Sequence, residues 1–319
     1  MPTPSSLNTR RGSHLRREAG FTLIEMVMVI VLMGVIGSMV AVFMKTPIDG
    51  YFDSVRRAAM ADEADTTLRR MAREIRGALP NSLRQTDTSC IEFIPVKVTG
   101  RYRAESAAVG GLPLTFPGVG NFDMLGRNST LSTEQQIALS DLVVIHNLGS
   151  AGGSDAYSTT AGTRNWGTVT AGGTLQENNT GADIAAPTNN SAVALKNQET
   201  RIPMTWTSAP PLASGSNRFF VVPSGEQMVA FLCSGTSPNI TLQRVGYTSL
   251  QNPAAQCKTA GLTAGTATAT TLATGVSACT FDYVAADLQR NGLVRINLSL
   301  TQSNETVTLY QEAHVNNSP

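Results

Sequence analysis

The sequence predicts an α+β fold in which one long N-terminal helix packs on antiparallel β-sheet. Three observations carry this reading. Met26 to Met44 is an unbroken run of 19 apolar or small residues, long enough at 1.5 Å per helical residue to cross a hydrocarbon core of about 30 Å. Behind it, apolar residues recur at helical spacing, at Val55, Ala59, Leu68, Met71, Ala72 and Ile75. Beyond residue 81, runs such as GLVRINLSL alternate with period two between short turns rich in Gly, Pro, Asn and Ser.

The elements follow in order. Arg10, Arg11, Arg16 and Arg17 precede the apolar run and Lys45 alone follows it, so the positive-inside rule puts the N-terminus in the cytoplasm and the bulk of the chain in the periplasm, a single pass. A cleaved secretory signal would show a shorter core and an A-x-A site, where this chain has Lys45-Thr46-Pro47. A lipoprotein signal would end on a cysteine, and the first is Cys90. A plain anchor leaves Glu25 unexplained, since an ionised carboxylate in a bilayer costs about 2.5–3.5 kcal/mol and needs a partner. Gly34, Gly37 and Ser38 form small patches suited to close helix packing.

Pro47 and Gly50 interrupt the helical pattern, so a kink or melted section is predicted between a membrane half, 21–45, and an amphipathic half, 46–80, closed by Pro80. The arginines of the second half, intermixed with Asp and Glu, read as a solvated face. Residues 81–319 form the β domain. CIEFIPVKV, DLVVIHNLG, RFFVV, QMVAFLC, ITLQRVGY, VSACTFDYV, GLVRINLSL and ETVTLYQEAHV read as strands. Between about 150 and 190 the chain turns to Gly, Thr, Ala and Asn, which predicts a mobile insertion, and Thr259 to Gly275 is a second small-residue stretch.

With 24 basic and 23 acidic residues, the chain lacks the basic footprint that nucleic acid demands. Beyond residue 20 only His146 and His314 remain, with no G-x-S-x-G elbow, phosphate loop or calcium loop, so no enzyme activity, metal or cofactor is expected. The four cysteines have no C-x-x-C spacing and permit three pairings. Strand-like surroundings favour Cys233–Cys279, with Cys90–Cys257 as the complement.

Gly20-Phe21-Thr22-Leu23-Ile24-Glu25 after a basic leader resembles the processing site of type IV prepilins and type II secretion pseudopilins. The resemblance implies that residues 1–20 are a leader, that a prepilin peptidase cuts between Gly20 and Phe21 and methylates the new terminus, and that Glu25 meets a neighbouring subunit's N-terminal amine during assembly. Taking four arginines and Glu18 away with the leader leaves 20 basic and 22 acidic residues. LRRMAREIRGALPNSLR, CIEFIPV and VSACTFDY with GLVRINLSL are similar to the O-type minor pilins of mannose-sensitive haemagglutinin (MSHA) pili and, more distantly, to the J-type minor pseudopilins of type II secretion. The partners so implied are other minor and major pilins and the inner-membrane assembly platform. A pilus-tip binding role is the alternative, with Tyr157 and Trp166 as its candidate aromatics.

Overall fold

The computed structural model describes residues 20–106, 110–116, 120–150, 152–170, 175–178, 195–250, 267–284 and 291–319. It divides into two compact units, Met1–Val55 and Arg56–Pro319. Helix α1 (Leu23–Arg76) begins in the first unit and ends in the second. In the first unit every large apolar side chain from Phe21 to Val55 is exposed. Among the described residues this is the one helix long and apolar enough to cross a membrane.

No melted section divides the helix: α1 continues through Pro47 and Gly50. Proline removes one N–H from the ladder, and the flanking turns keep the helical hydrogen bonds on both sides of it. The C-terminus falls at Arg76, short of the expected Pro80. Leu79 precedes a proline and so leaves helical geometry, and its N–H pairs instead with the Ile94 carbonyl at 2.8 Å.

The strands of the second unit are β1 (Arg84–Asp87), β2 (Cys90–Phe93), β3 (Val98–Arg101), β4 (Phe122–Leu125), β5 (Leu142–Ile145), β6 (Trp166–Val169), β7 (Gln176–Glu177), β8 (Glu199–Ile202), β9 (Met204–Thr205), β10 (Arg218–Val222), β11 (Met228–Thr236), β12 (Asn239–Tyr247), β13 (Ala267–Val284), β14 (Asn291–Gln302) and β15 (Glu305–Asn316). They form three antiparallel sheets, ordered β1-β2-β11-β12-β13-β14-β15, β3-β10-β5-β6-β9 and β4-β8-β7. CIEFIPVKV is therefore two strands in two sheets, because the chain crosses over at Pro95.

Side-chain alternation stacks these layers. Met60, Leu68, Met71 and Ile75 of α1 pack on Phe93, Val229, Phe231, Ile296 and Leu298 of the first sheet. The opposite face of β11, Met228, Ala230 and Leu232, packs on Leu142, Val144, Phe220 and Val222 of the second sheet. That sheet's far face, Val143, Ile145, Phe219 and Val221, packs on Phe122 and Ile202 of the third. Residues one apart on a strand enter different cores, as the pleat requires.

β13 pairs with β12 up to Val276 and with β14 from Val276 onward. Gly275, at φ 65°, lies at this change of neighbour, in the left-handed region that favours glycine. The strand takes in the described part of the small-residue stretch, from Ala267 to Gly275. A disulfide joins Cys233 of β11 to Cys279 of β13, Cα atoms 6.2 Å apart. Cys90 is buried, and its proposed partner Cys257 lies outside the described residues.

Within the 150–190 segment, residues 152–170 are tied into the fold. Ser154, Ala156, Tyr157 and Asn165 are buried. Asn147 Oδ1 accepts from the Ala156 N–H at 2.9 Å and from Asn165 Nδ2 at 3.1 Å, while its own Nδ2 donates to the Pro80 carbonyl at 2.7 Å. Amide hydrogen bonds order the stretch where apolar side chains are few. Residues 151, 171–174 and 179–194 lie outside the described residues.

Buried charge is paired. Arg201 and Asp123, both fully buried, form a bidentate pair at 2.7 and 2.9 Å, Lys97 meets Asp141 at 2.6 Å, and Arg84 pairs with Glu92 between the first two sheets. Tyr157 lies under the Arg84 guanidinium, 3.6 Å from ring centroid to Cζ, and donates to the Ser82 carbonyl at 2.9 Å. Burial raises the pKa of Tyr157 well above the usual phenol range and pushes Tyr247 up to about 12.

Arg201→Ala, which strands Asp123 without its partner, is expected to cost about 3–5 kcal/mol in denaturant unfolding of the detergent-solubilised protein. A phenol whose folded pKa exceeds its unfolded value of about 10 contributes stability that is complete below pH 10 and lost as pH rises through about 12. The thermal midpoint should therefore drop across that window, and Tyr247→Phe should flatten the drop.

Candidate functional site

The site lies at the start of α1, in the first unit. Thr22 caps the helix: its Oγ1 accepts from the Glu25 N–H at 3.3 Å, and its carbonyl accepts from the N–H groups of Glu25 and Met26 at 3.1 and 3.2 Å. Thr22-Leu23-Ile24-Glu25 has the Ser/Thr-x-x-Glu spacing of a capping box. This was visible in the sequence, and reading Glu25 only as an acid in lipid passed over it.

Glu25 occupies the first helical turn, where a carboxylate opposes the positive end of the helix dipole. Thr22 thus fixes where the helix begins, and Glu25 adds charge one turn after Phe21. Phe21 is 80% exposed. The geometry therefore presents an apolar side chain, a chain segment entering a helix, and a carboxylate within a few residues, all of them exposed among the described residues.

Gly20 adds a further constraint. A Cβ built there meets nothing within 4 Å, and its φ lies outside the left-handed range. Neither space nor backbone conformation among the described residues calls for glycine, and a requirement for it would arise from a partner that approaches the backbone closely. Gly34 and Gly37 are equally open on the apolar helix.

The aromatics considered for tip binding are not displayed together on a loop. Tyr157 is 9% exposed and belongs to the second core, and Trp166 is half-buried against that core, its Nε1 donating to the Ala156 carbonyl at 3.0 Å. Their hydrogen bonds and apolar contacts are already used within the fold. His146 is partly buried, which lowers its pKa, and follows β5 of the second sheet, whereas His314 stands exposed on β15 at the edge of the first.

Residues 15–41 match the prokaryotic N-terminal methylation motif. That segment contains Gly20, Phe21, Glu25 and most of the apolar half of α1. It is a type IV pilin-like prepilin signal, and with the antiparallel α+β fold it supports a processed subunit of pilin or pseudopilin type. Neither a curated protein nor a solved structure matches the chain.

If Thr22 sets the helix start, Thr22→Ala should speed hydrogen exchange at the Glu25 amide in detergent micelles by about 2- to 30-fold, the range that losing a cap of 0.5–2 kcal/mol implies. Exchange in β11 and β14 should not change.

Proposed function

We propose that this chain is a minor pilin-type subunit, made as a membrane-spanning precursor and drawn into a filament or its priming or tip complex. The observation that carries the proposal is the methylation motif at the head of a helix whose large apolar side chains are all exposed as far as Val55. Such a surface is stable in lipid or against copies of the same kind of helix, and a filament subunit moves from one to the other.

In this reading the precursor crosses the inner membrane once, N-terminus in the cytoplasm. Prepilin peptidase cuts between Gly20 and Phe21, releasing the leader, and the Phe21 amine is methylated. The cut creates an ammonium just ahead of the Thr22 cap, at the positive end of the helix dipole, where a cation is unfavourable. Glu25, in the first turn of α1, supplies the opposing charge. Pairing with a neighbour's amine then sets the register of one subunit on the next, and the helix packs in the filament core.

The resemblance of residues 68–84 and 276–300 to O-type minor pilins supports an MSHA-type pilus as the assembly, with other minor and major pilins and the inner-membrane platform as partners. A minor pseudopilin of type II secretion is the alternative, and the identity of the co-purifying subunits separates the two.

Gly20→Val is expected to leave the leader attached, seen as the precursor mass. Glu25→Ala and Glu25→Gln should both be cleaved at Phe21, yet co-purification with sister subunits should fall at least about tenfold for each, because an unpaired charge in an apolar core costs more than one such step. Glutamine still satisfies the capping box, so normal co-purification of Glu25→Gln would assign Glu25 to helix capping and sink the register role.

A further inference from the structure

The shielded arginines of the second unit meet carboxylates: Arg103 at Glu199, Arg201 at Asp123, and Arg244 at Glu226 and Glu74. Around the end of α1 the pattern changes. Arg76, in the last helical turn, donates to the Glu312 carbonyl at 3.3 Å and meets no carboxylate among the described residues. Arg101 and Arg218 are directly opposite each other in the β3–β10 pair, exposed, and likewise without a carboxylate. The helix dipole accounts for a cation at Arg76, but like charges facing each other across strands destabilise a sheet. Their own fold gives β3 and β10 no reason for them.

Arg76 and Arg218 line one groove of about 250 Å³ with Val96, Phe220, Thr99 and Asn316. Because Thr99 pairs with Phe220 and Arg101 with Arg218, all four side chains project from one face of the strand pair. The groove is below the usual size of an organic-cofactor site, about 300–1,000 Å³, and suits one or two side chains. It has an apolar wall at Val96 and Phe220 and guanidinium groups beside it.

We propose that this groove is a docking site for an acidic segment of another polypeptide, one carboxylate held by Arg76 and Arg218 and a neighbouring apolar side chain seated on Val96 and Phe220. Guanidinium forks match carboxylates in a bidentate manner. A nucleic acid or acidic membrane surface is a poorer fit, because each needs cations over an extended area, and this near-neutral chain places Arg76 and Arg218 in one groove with an apolar wall and Arg101 opposite Arg218 on the same strand face.

The experiment places a photo-crosslinking amino acid at Thr99 of the full-length protein in intact cells and maps the crosslinked product by mass spectrometry. The expected product is a peptide with Asp or Glu within a few residues of the attachment point. Its yield should fall about tenfold in Arg101→Ser/Arg218→Ser, as loss of a charge-assisted contact implies. The thermal midpoint of that double variant in detergent should hold or rise, since repulsion is removed. Crosslinks to lipid or nucleic acid, a peptide lacking acid, an undiminished yield, or a midpoint lowered by more than about 5 °C would each overturn the proposal, the last by showing that the arginines serve the fold.

Discussion

From Phe21 to Val55, α1 carries more than twenty exposed large apolar side chains. Burying one such side chain is worth about 1.5–3 kcal/mol, while a whole domain is stable by only about 5–15 kcal/mol. An isolated copy in water would forfeit more free energy at this surface than its β domain gains by folding. The chain therefore requires an apolar surrounding that it does not itself provide. In the proposed function that requirement makes the start of the helix the place where its fate is decided, because the leader and the charge there set whether the helix stays in lipid or leaves it.

Beyond Val55 the same helix meets the opposite demand. It needs only one apolar stripe, Met60 to Ile75, because a sheet covers one side, and the other faces carry exposed pairs such as Arg57 with Glu305. The first sheet is covered on both faces along β2 and β11, and the second along β5 and β10. Strands covered on both sides must be apolar at consecutive positions, which is why MVAFLC, LVVI and FFVV read as continuous runs. β14 and β15 are covered on the helix side alone and alternate.

These contrasts explain what could be read from the sequence. The helix, the long strands and the α+β class are local patterns in single stretches, and each was legible. The allocation of strands to three sheets was not, because it depends on pairings such as Phe122 with Ile202 across eighty residues and on whether Pro95 ends a strand or merely bends it. The order of residues 152–170, inside the 150–190 segment, was illegible for a different reason. Its order comes from Asn147, Ser154 and Asn165 satisfying one another and the backbone, and a hydrogen-bonded core has no hydrophobic period. At the site, Gly20, Phe21 and Glu25 stood out by motif, while Thr22 looked like filler in an apolar run until its hydroxyl was found on the Glu25 amide.

Capping and assembly make different demands on Glu25, and the structure separates them. The cap requires an acceptor at Thr22 and is satisfied within one chain by hydrogen bonds to backbone N–H groups. It is indifferent to the charge on residue 25, since glutamine serves in a capping box. A cap also gives no reason for glycine at position 20, where the structure leaves open space, nor for the bare apolar faces that follow. A carboxylate where glutamine would do for the cap, preceded by a glycine that none of the described residues calls for, is what the proposed function accounts for: it has one partner that reads the backbone at Gly20 and one that needs the charge at Glu25.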